Sequence, residues 1–135
     1  MNAVTADPMT ADVATAETSA SSSFGDLTTA GPSVTLSLVT GQKCTVTVSA
    51  RIDSPASLDE GFMSFAVSGT QTQAASDANA ARLVGNSAGA IGVVSERSSV
   101  FTATATGSNF VFTAKYRRTG GSFTFRDRRI VVKKW

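Results

Sequence analysis

The sequence predicts an all-β protein, an antiparallel β-sandwich or jelly roll of about eight strands preceded by an extended N-terminal arm. Three observations carry this expectation. Apolar residues recur with period two in long stretches, as in Val34-Leu36-Leu38, Cys44-Val46-Val48-Ala50-Ile52 and Phe110-Phe112-Ala114-Tyr116. Glycine-bearing turns separate these stretches at short intervals. No amphipathic stripe of helical length interrupts them, so a parallel βαβ arrangement is not expected.

Residues 1–22 are read as the arm and residues 23–135 as one β-sandwich domain. The arm is rich in Ala, Thr, Ser and Asp, and no aromatic residue precedes Phe24. Alone it buries too little apolar surface to offset the entropy of ordering, so its composition reads first as a disordered tail and otherwise as a segment docked on its own sheet or on a neighbour. Its segment 17–22 is a candidate first strand. Phe24-Gly25-Asp26-Leu27 reads as a turn with two apolar anchors. Gly31-Pro32 then leads into a strand over 33–39, and Thr40-Gly41-Gln42 turns the chain into a strand over 43–53. Cys44 falls in the apolar row of that strand and reads as a small core residue.

Residues 54–60 are polar and form a loop. A short strand follows over 61–68, with Phe62, Ser64 and Ala66 on one face and Met63, Phe65 and Val67 on the other. Residues 69–81 read as a long loop with room for one helical turn. Brief strand character returns at 82–84, and residues 93–106 alternate well enough for one or two strands. The most apolar and most basic stretch is 109–135. It reads as a hairpin of two long strands around Thr119-Gly120-Gly121, with Phe110, Phe112, Ala114 and Tyr116 on one face and Phe123 and Phe125 inward in the second strand. The alternation then breaks at Arg-Arg-Ile-Val-Val. That predicts either a strand buried on both faces over 130–132 or a bulge that shifts the register.

The chain has 135 residues and a formal charge of +2, which alone calls for no nucleic-acid partner. The charge is unevenly spread. Residues 1–60 hold seven acids and two bases, a net −5, and residues 61–135 hold three acids and ten bases, a net +7. Such halves attract each other within one molecule or between neighbours. One cysteine excludes an internal disulfide framework. No cationic start with an apolar run predicts a signal peptide, and no window reaches the length of a membrane helix, so synthesis in a cytosol is expected.

No histidine is present, which removes Ser-His-Asp and Cys-His catalysis and the commonest metal ligand. Gly85-Asn86-Ser87-Ala88-Gly89 fits the nucleophile-elbow pattern, but Ser87 has no histidine base and no following helix, so the match is taken as chance. Asp53, Asp59 and Glu60 are considered as a calcium site and set aside, because nothing resembles a calcium loop. No enzyme, and no catalytic, cofactor-binding or metal-ligating residue, is expected. Lys115, Arg117, Arg118, Arg126, Arg128, Arg129, Lys133 and Lys134 are weighed as a nucleic-acid face with Phe112, Tyr116, Phe123 and Phe125 interleaved. Rings and charges alternate along the strands and so point to opposite faces, which favours an ordinary half-buried sheet with salt links.

Three blocks carry a resemblance: SSSFGDLTTAGPSVTLSL (residues 21–38), GFMSFAVSGTQTQAASDANA (61–80) and SNFVFTAKYRRTGGSFTFRDRRIVV (108–132). In content, order and spacing they are similar to small β-sandwich domains of tailed-bacteriophage virion proteins, especially from phages of actinobacteria. The chain departs from that pattern in its Lys-Lys-Trp ending and in polar Gln71 and Gln73. The resemblance implies a non-enzymatic structural protein that assembles around a threefold, with no ligand residues to carry over. Such domains are either decoration (cement) proteins on the outer capsid or C-terminal modules of tail fibres and minor tail proteins. The first setting is preferred, with the major capsid protein as partner, a homotrimer as the assembly, the outer capsid surface as location, and assembly in the host cytoplasm. Under this reading, deletion of residues 1–20 leaves the sandwich folded and weakens attachment to the particle. The alternative is a tail tip that binds a host receptor or glycan through the loop 69–81. That loop lacks Trp and Tyr, and the single Trp, Trp135, lies at the far end of the chain.

Overall fold

The computed structural model describes residues 8–135. Among the described residues nine strands form two antiparallel sheets packed face to face, the sandwich or jelly roll that the period-two patterning predicts. In chain order they are β1 (Met9–Val13), β2 (Glu17–Ser19), β3 (Ser33–Leu38), β4 (Lys43–Ser54), β5 (Glu60–Gly69), β6 (Ala81–Val84), β7 (Ala90–Thr102), β8 (Gly107–Arg118) and β9 (Phe123–Lys134). One sheet runs β1-β9-β4-β7, with β2 also on β9. The other runs β3-β8-β5-β6. We call these the first and second sheets.

The core lies between them and is built from the rows that alternate in the sequence. Val34, Leu36 and Leu38 of β3, Cys44 through Ile52 of β4 in alternation, and Phe110, Phe112, Ala114 and Tyr116 of β8 are all buried. Rings meet edge-on, with Phe101 and Phe112 at 5.2 Å between centroids. Each fully buried side chain of this kind contributes about 1.5–3 kcal/mol relative to exposure. Gly61 is needed where β5 passes Phe123, because a Cβ there would overlap the phenyl ring.

The expected final hairpin does not form. β8 and β9 are the right strands with the right inward faces, but they lie in different sheets. Thr119-Gly120-Gly121 carries the chain across the sandwich instead of back along it, with only Gly121 at positive φ, 63°. The physical reason is that both strands present a row of large rings. Paired in one sheet, those rings would share a face and still need a cover. In opposite sheets they cover each other, and Tyr116 meets Phe125 at 5.1 Å.

Of the two readings offered for the break in β9, the bulge is correct. Ser49 pairs with Arg129 but Arg51 pairs with Arg126, so Ala50 faces two residues, Asp127 and Arg128. Asp127 has φ 48°. Beyond it the inward row moves from odd to even numbers: Phe123 and Phe125, then Arg128, Ile130 and Val132.

The part of the arm within 8–22 docks on its own chain, and residues 1–7 lie outside the described residues. β1 pairs with residues 128–132 of β9 and β2 with residues 123–125, together forming the edge of the first sheet opposite β4. Asp127 N–H donates to Ala14 O at 3.2 Å at the break between them. The strand expected near 17–22 is β2, and β1 precedes it. Removal of residues 1–20 would therefore strip a sheet edge and a buried ion pair from the sandwich rather than a spare appendage.

The long loop 69–81 includes one 3-10 turn, Asp77–Asn79, capped by Ser76. It is tied down along its length. Gln73 and Val67 exchange two backbone hydrogen bonds, Ser64 Oγ donates to Ser76 O at 2.8 Å, and Gln71 Oε1 accepts from Thr104 N–H at 2.8 Å. Among the described residues no helix is long and apolar enough to cross a membrane.

Candidate functional site

The eight basic residues weighed as one face are divided between the two sheets, because β8 and β9 are. On the second sheet Lys115 Nζ meets Asp26 at 2.7 Å, and Arg117 makes a two-pronged contact with Asp77, its Nε at 2.8 Å. The Arg117 guanidinium also lies 4.2 Å from the Phe62 ring centroid and 5.5 Å from that of Phe24. Arg118 donates to Ala20 O. On the first sheet Arg126 pairs with Asp53 at 2.9 Å and Arg129 with Asp12 at 2.6 Å. The rings Phe112, Tyr116, Phe123 and Phe125 are buried between the sheets. The acidic early half and basic later half thus attract each other within one molecule, through Asp12, Glu17, Asp26 and Asp53.

Arg128 stands apart. Alternation before the bulge assigns it to the surface, yet it is fully buried. Its Nη2 donates to Glu17 Oε1 at 2.6 Å, and Nη1 reaches Thr29 O at 3.3 Å and Gly31 O at 3.4 Å. The guanidinium lies 5.3 Å from the Tyr116 ring centroid, and Tyr116 Oη donates to Gly31 O at 2.8 Å. One side chain therefore ties together β2, the segment before β3, and both sheets. The signal available in the sequence was the shifted row 128, 130, 132, readable only once the bulge is placed at Asp127.

Glu17 is held below its ordinary value of 4.5, first by the Thr29 backbone N–H it accepts at 3.0 Å, with smaller help from the Thr29 hydroxyl and Arg128 against opposing burial. Asp77 is lowered mainly by the Arg117 hydrogen bond. A carboxylate lowered on folding stabilises the fold fully above its unfolded value and loses that contribution as pH falls through the folded value. Urea midpoints of the natural chain are therefore expected to fall as pH drops below 4.5. Glu17→Gln should start lower at pH 7 and lose less on acidification. Parallel pH profiles for the two proteins would remove Glu17 from this role.

The chemical candidates are separated. Cys44 is fully buried, and burial pushes its thiol up to about 11. Alkylation by iodoacetamide at pH 8 is expected to be negligible in the native chain and complete in denaturant, and native labelling at the denatured rate would contradict the burial. Ser87 is exposed in the turn between β6 and β7, with a strand and not a helix after it. Asp53 accepts from Gly92 N–H at 2.6 Å and pairs with Arg126. Asp59 accepts from Ser57 Oγ at 2.8 Å, and Glu60 meets Arg82 at 3.4 Å. Among the described residues no three His, Cys, Asp or Glu side chains converge as a metal site.

The exposed face of the first sheet is the richest surface. Register places Lys133, Thr45 and Val100 in one row, Val131, Thr47 and Ser98 in the next, then Arg129, Ser49 and Glu96. The bulge opens a groove of about 430 Å³ beside it, where Arg51 and Arg129 alternate with Asp127 and Asp12. Along the edge, β7 exposes Ile91, Val94 and Val100, at 84%, 66% and 54%. At the far end lies Trp135, 69% exposed. Sequence reading discounted this residue because of its position in the chain.

No family model matches this sequence, and no curated protein matches it. Among solved structures, one described as "Structure of Eiger TNF from S. frugiperda" is similar over 93% of each chain, at 10% identity and a TM-score of 0.44.

Proposed function

We propose that this chain is a structural virion protein of a tailed bacteriophage, a decoration protein that binds the outer capsid surface and stabilises the shell. The observation that supports the reading is the agreement of three sequence blocks with small phage virion domains in content, order and spacing. The three blocks are not scattered through the fold. They contain β3, β5 and β8, the three adjacent strands of the second sheet, and most of β9.

The physical role asked of such a protein is modest affinity repeated over many sites. The long β7 edge, with Ile91, Val94 and Val100 outward, suits contact with a capsid subunit or a second copy. A homotrimer belongs to this proposal. The described part of the arm, residues 8–22, pairs with β9, so capsid attachment is assigned in this proposal to the β7 edge. The tail-fibre tip remains the second reading, and the anchored loop 69–81 does not favour it.

Quantitative mass spectrometry of purified virions of the encoding phage tests the proposal. A copy number comparable to that of the shell subunit supports decoration. A handful of copies moves the protein to the tail, and absence from the particle defeats both readings.

A further inference from the structure

Trp135 is exposed but not loose. Its backbone N–H donates to Lys43 O at 3.0 Å, and its indole Nε1–H donates to Thr45 Oγ1 at 3.0 Å. Both anchors belong to β4, the centre of the first sheet. Lys43 Nζ stands 6.0 Å from the ring centroid and donates to Thr102 Oγ1 at 3.3 Å. Lys133 projects from the same face, in register beside Thr45. Among the described residues neither lysine has a carboxylate within 4 Å, whereas Arg51 and Arg129, farther along the face, are engaged by Asp127 and Asp12. The result is a flat ring already held in place, with the Lys43 ammonium 6.0 Å from it and Lys133 on the same face beside Thr45. Preorganisation of this kind lowers the ordering cost of binding.

We propose that this end of the first sheet binds an acidic polysaccharide, with a sugar ring stacked on Trp135 and carboxylate groups of the glycan against Lys43 and Lys133. The ring supplies an apolar plane for the C–H face of a pyranose, and its pinned edge fixes the stacking direction. Hydroxyls of Thr45, Thr47, Ser98 and Thr102 line the adjoining rows and suit sugar hydroxyls. Asp12, Asp127 and Glu96 repel an anion farther along, so the footprint ends near Thr47. A single strand of nucleic acid fits less well. It needs a succession of stacking rings, and of the chain's other aromatics only Phe24 is not buried, lying beside Arg117 on the opposite sheet. This inference is independent of where on a particle the protein sits.

The chain contains one Trp, so fluorescence excited at the red edge, where the single Tyr does not absorb, reports on this site alone. Titration of the full chain with oligogalacturonate is expected to give a saturable change. It should weaken roughly tenfold or more in the Lys43→Ala, Lys133→Ala double variant and with added salt. Neutral maltohexaose should bind at least about tenfold more weakly. Trp135→Ala, its fold checked by circular dichroism, should abolish the heat of binding in calorimetry. No response to millimolar oligogalacturonate, an equal response to maltohexaose, or full binding by the lysine double variant would overturn the proposal. Tighter binding of oligo-dT than of oligogalacturonate would also overturn it and assign the face to nucleic acid.

Discussion

Arg128→Ala is expected to destabilise the protein by about 3–5 kcal/mol, the cost of removing one partner from a buried ion pair. The side chain is fully buried and serves three groups of acceptors at once: the Glu17 carboxylate, the Thr29 and Gly31 carbonyls, and the Thr15 carbonyl at 3.4 Å. Truncation removes one donor from each of these acceptors, although Glu17 keeps Thr29 and the Gly31 carbonyl keeps Tyr116 Oη, and it leaves a void beside Tyr116. Urea unfolding measures the loss. Arg128→Lys should recover little of it, because an ammonium cannot fork between Glu17 and the carbonyls. A double variant, Arg128→Met with Glu17→Leu, should recover more, since no charge is then left buried. Stability unchanged in Arg128→Ala would mean that the guanidinium is not the tie between β2 and the two sheets.

Phe112→Ala should cost about 3–5 kcal/mol, as expected for a fully buried ring whose cavity cannot collapse. Phe112 sits in the middle strand of the second sheet's ring cluster, with Phe101 at 5.2 Å and Phe65 at 6.1 Å between centroids. Those neighbours come from both sheets, so relaxation of one sheet cannot close the gap. The outward, half-buried neighbour Thr113→Ala, which gives up the hydrogen bond it accepts from Ser33 at 3.0 Å, should cost no more than about 1 kcal/mol. A near-neutral result for Phe112→Ala would place the wrong face of β8 inward.

The inward and outward faces of β3, β4 and β8 were legible because period-two alternation is a local property and burial follows it directly. Strand pairing was not. Whether β8 and β9 share a sheet depends on what else covers their rings, and Thr119-Gly120-Gly121 permits a turn back or a turn across. Register was half legible. The run Arg128 to Val132 signalled an interruption, but only the pairing of β9 against β4 places it at Asp127 and carries Arg128 inside. Composition misled in the arm. Little apolar surface suggested a detachable segment, yet backbone pairing with β9 and the Glu17 carboxylate hold residues 8–22 without a hydrophobic face. The exposed platform at Trp135 escaped notice for a related reason: what matters there is the indole hydrogen bond to Thr45, a contact across ninety positions of sequence.

The place of β9 in the first sheet has a consequence for how the chain acquires its structure. β9 lies between β4 on one side and β1 with β2 on the other, and it follows all of them in sequence. While the chain emerges from a ribosome, β1 and β2 have no edge to pair with, and β4 has only β7. The sheet is zipped shut by its final strand, and the earliest and latest segments must find each other at the end. Such closure between distant segments is slow relative to local pairing, and the incomplete intermediate exposes the unpaired edge of β4 and the apolar inner row beside it. Nascent chains lacking β9 are thus expected to be the species that chaperones retain and that aggregates at high expression.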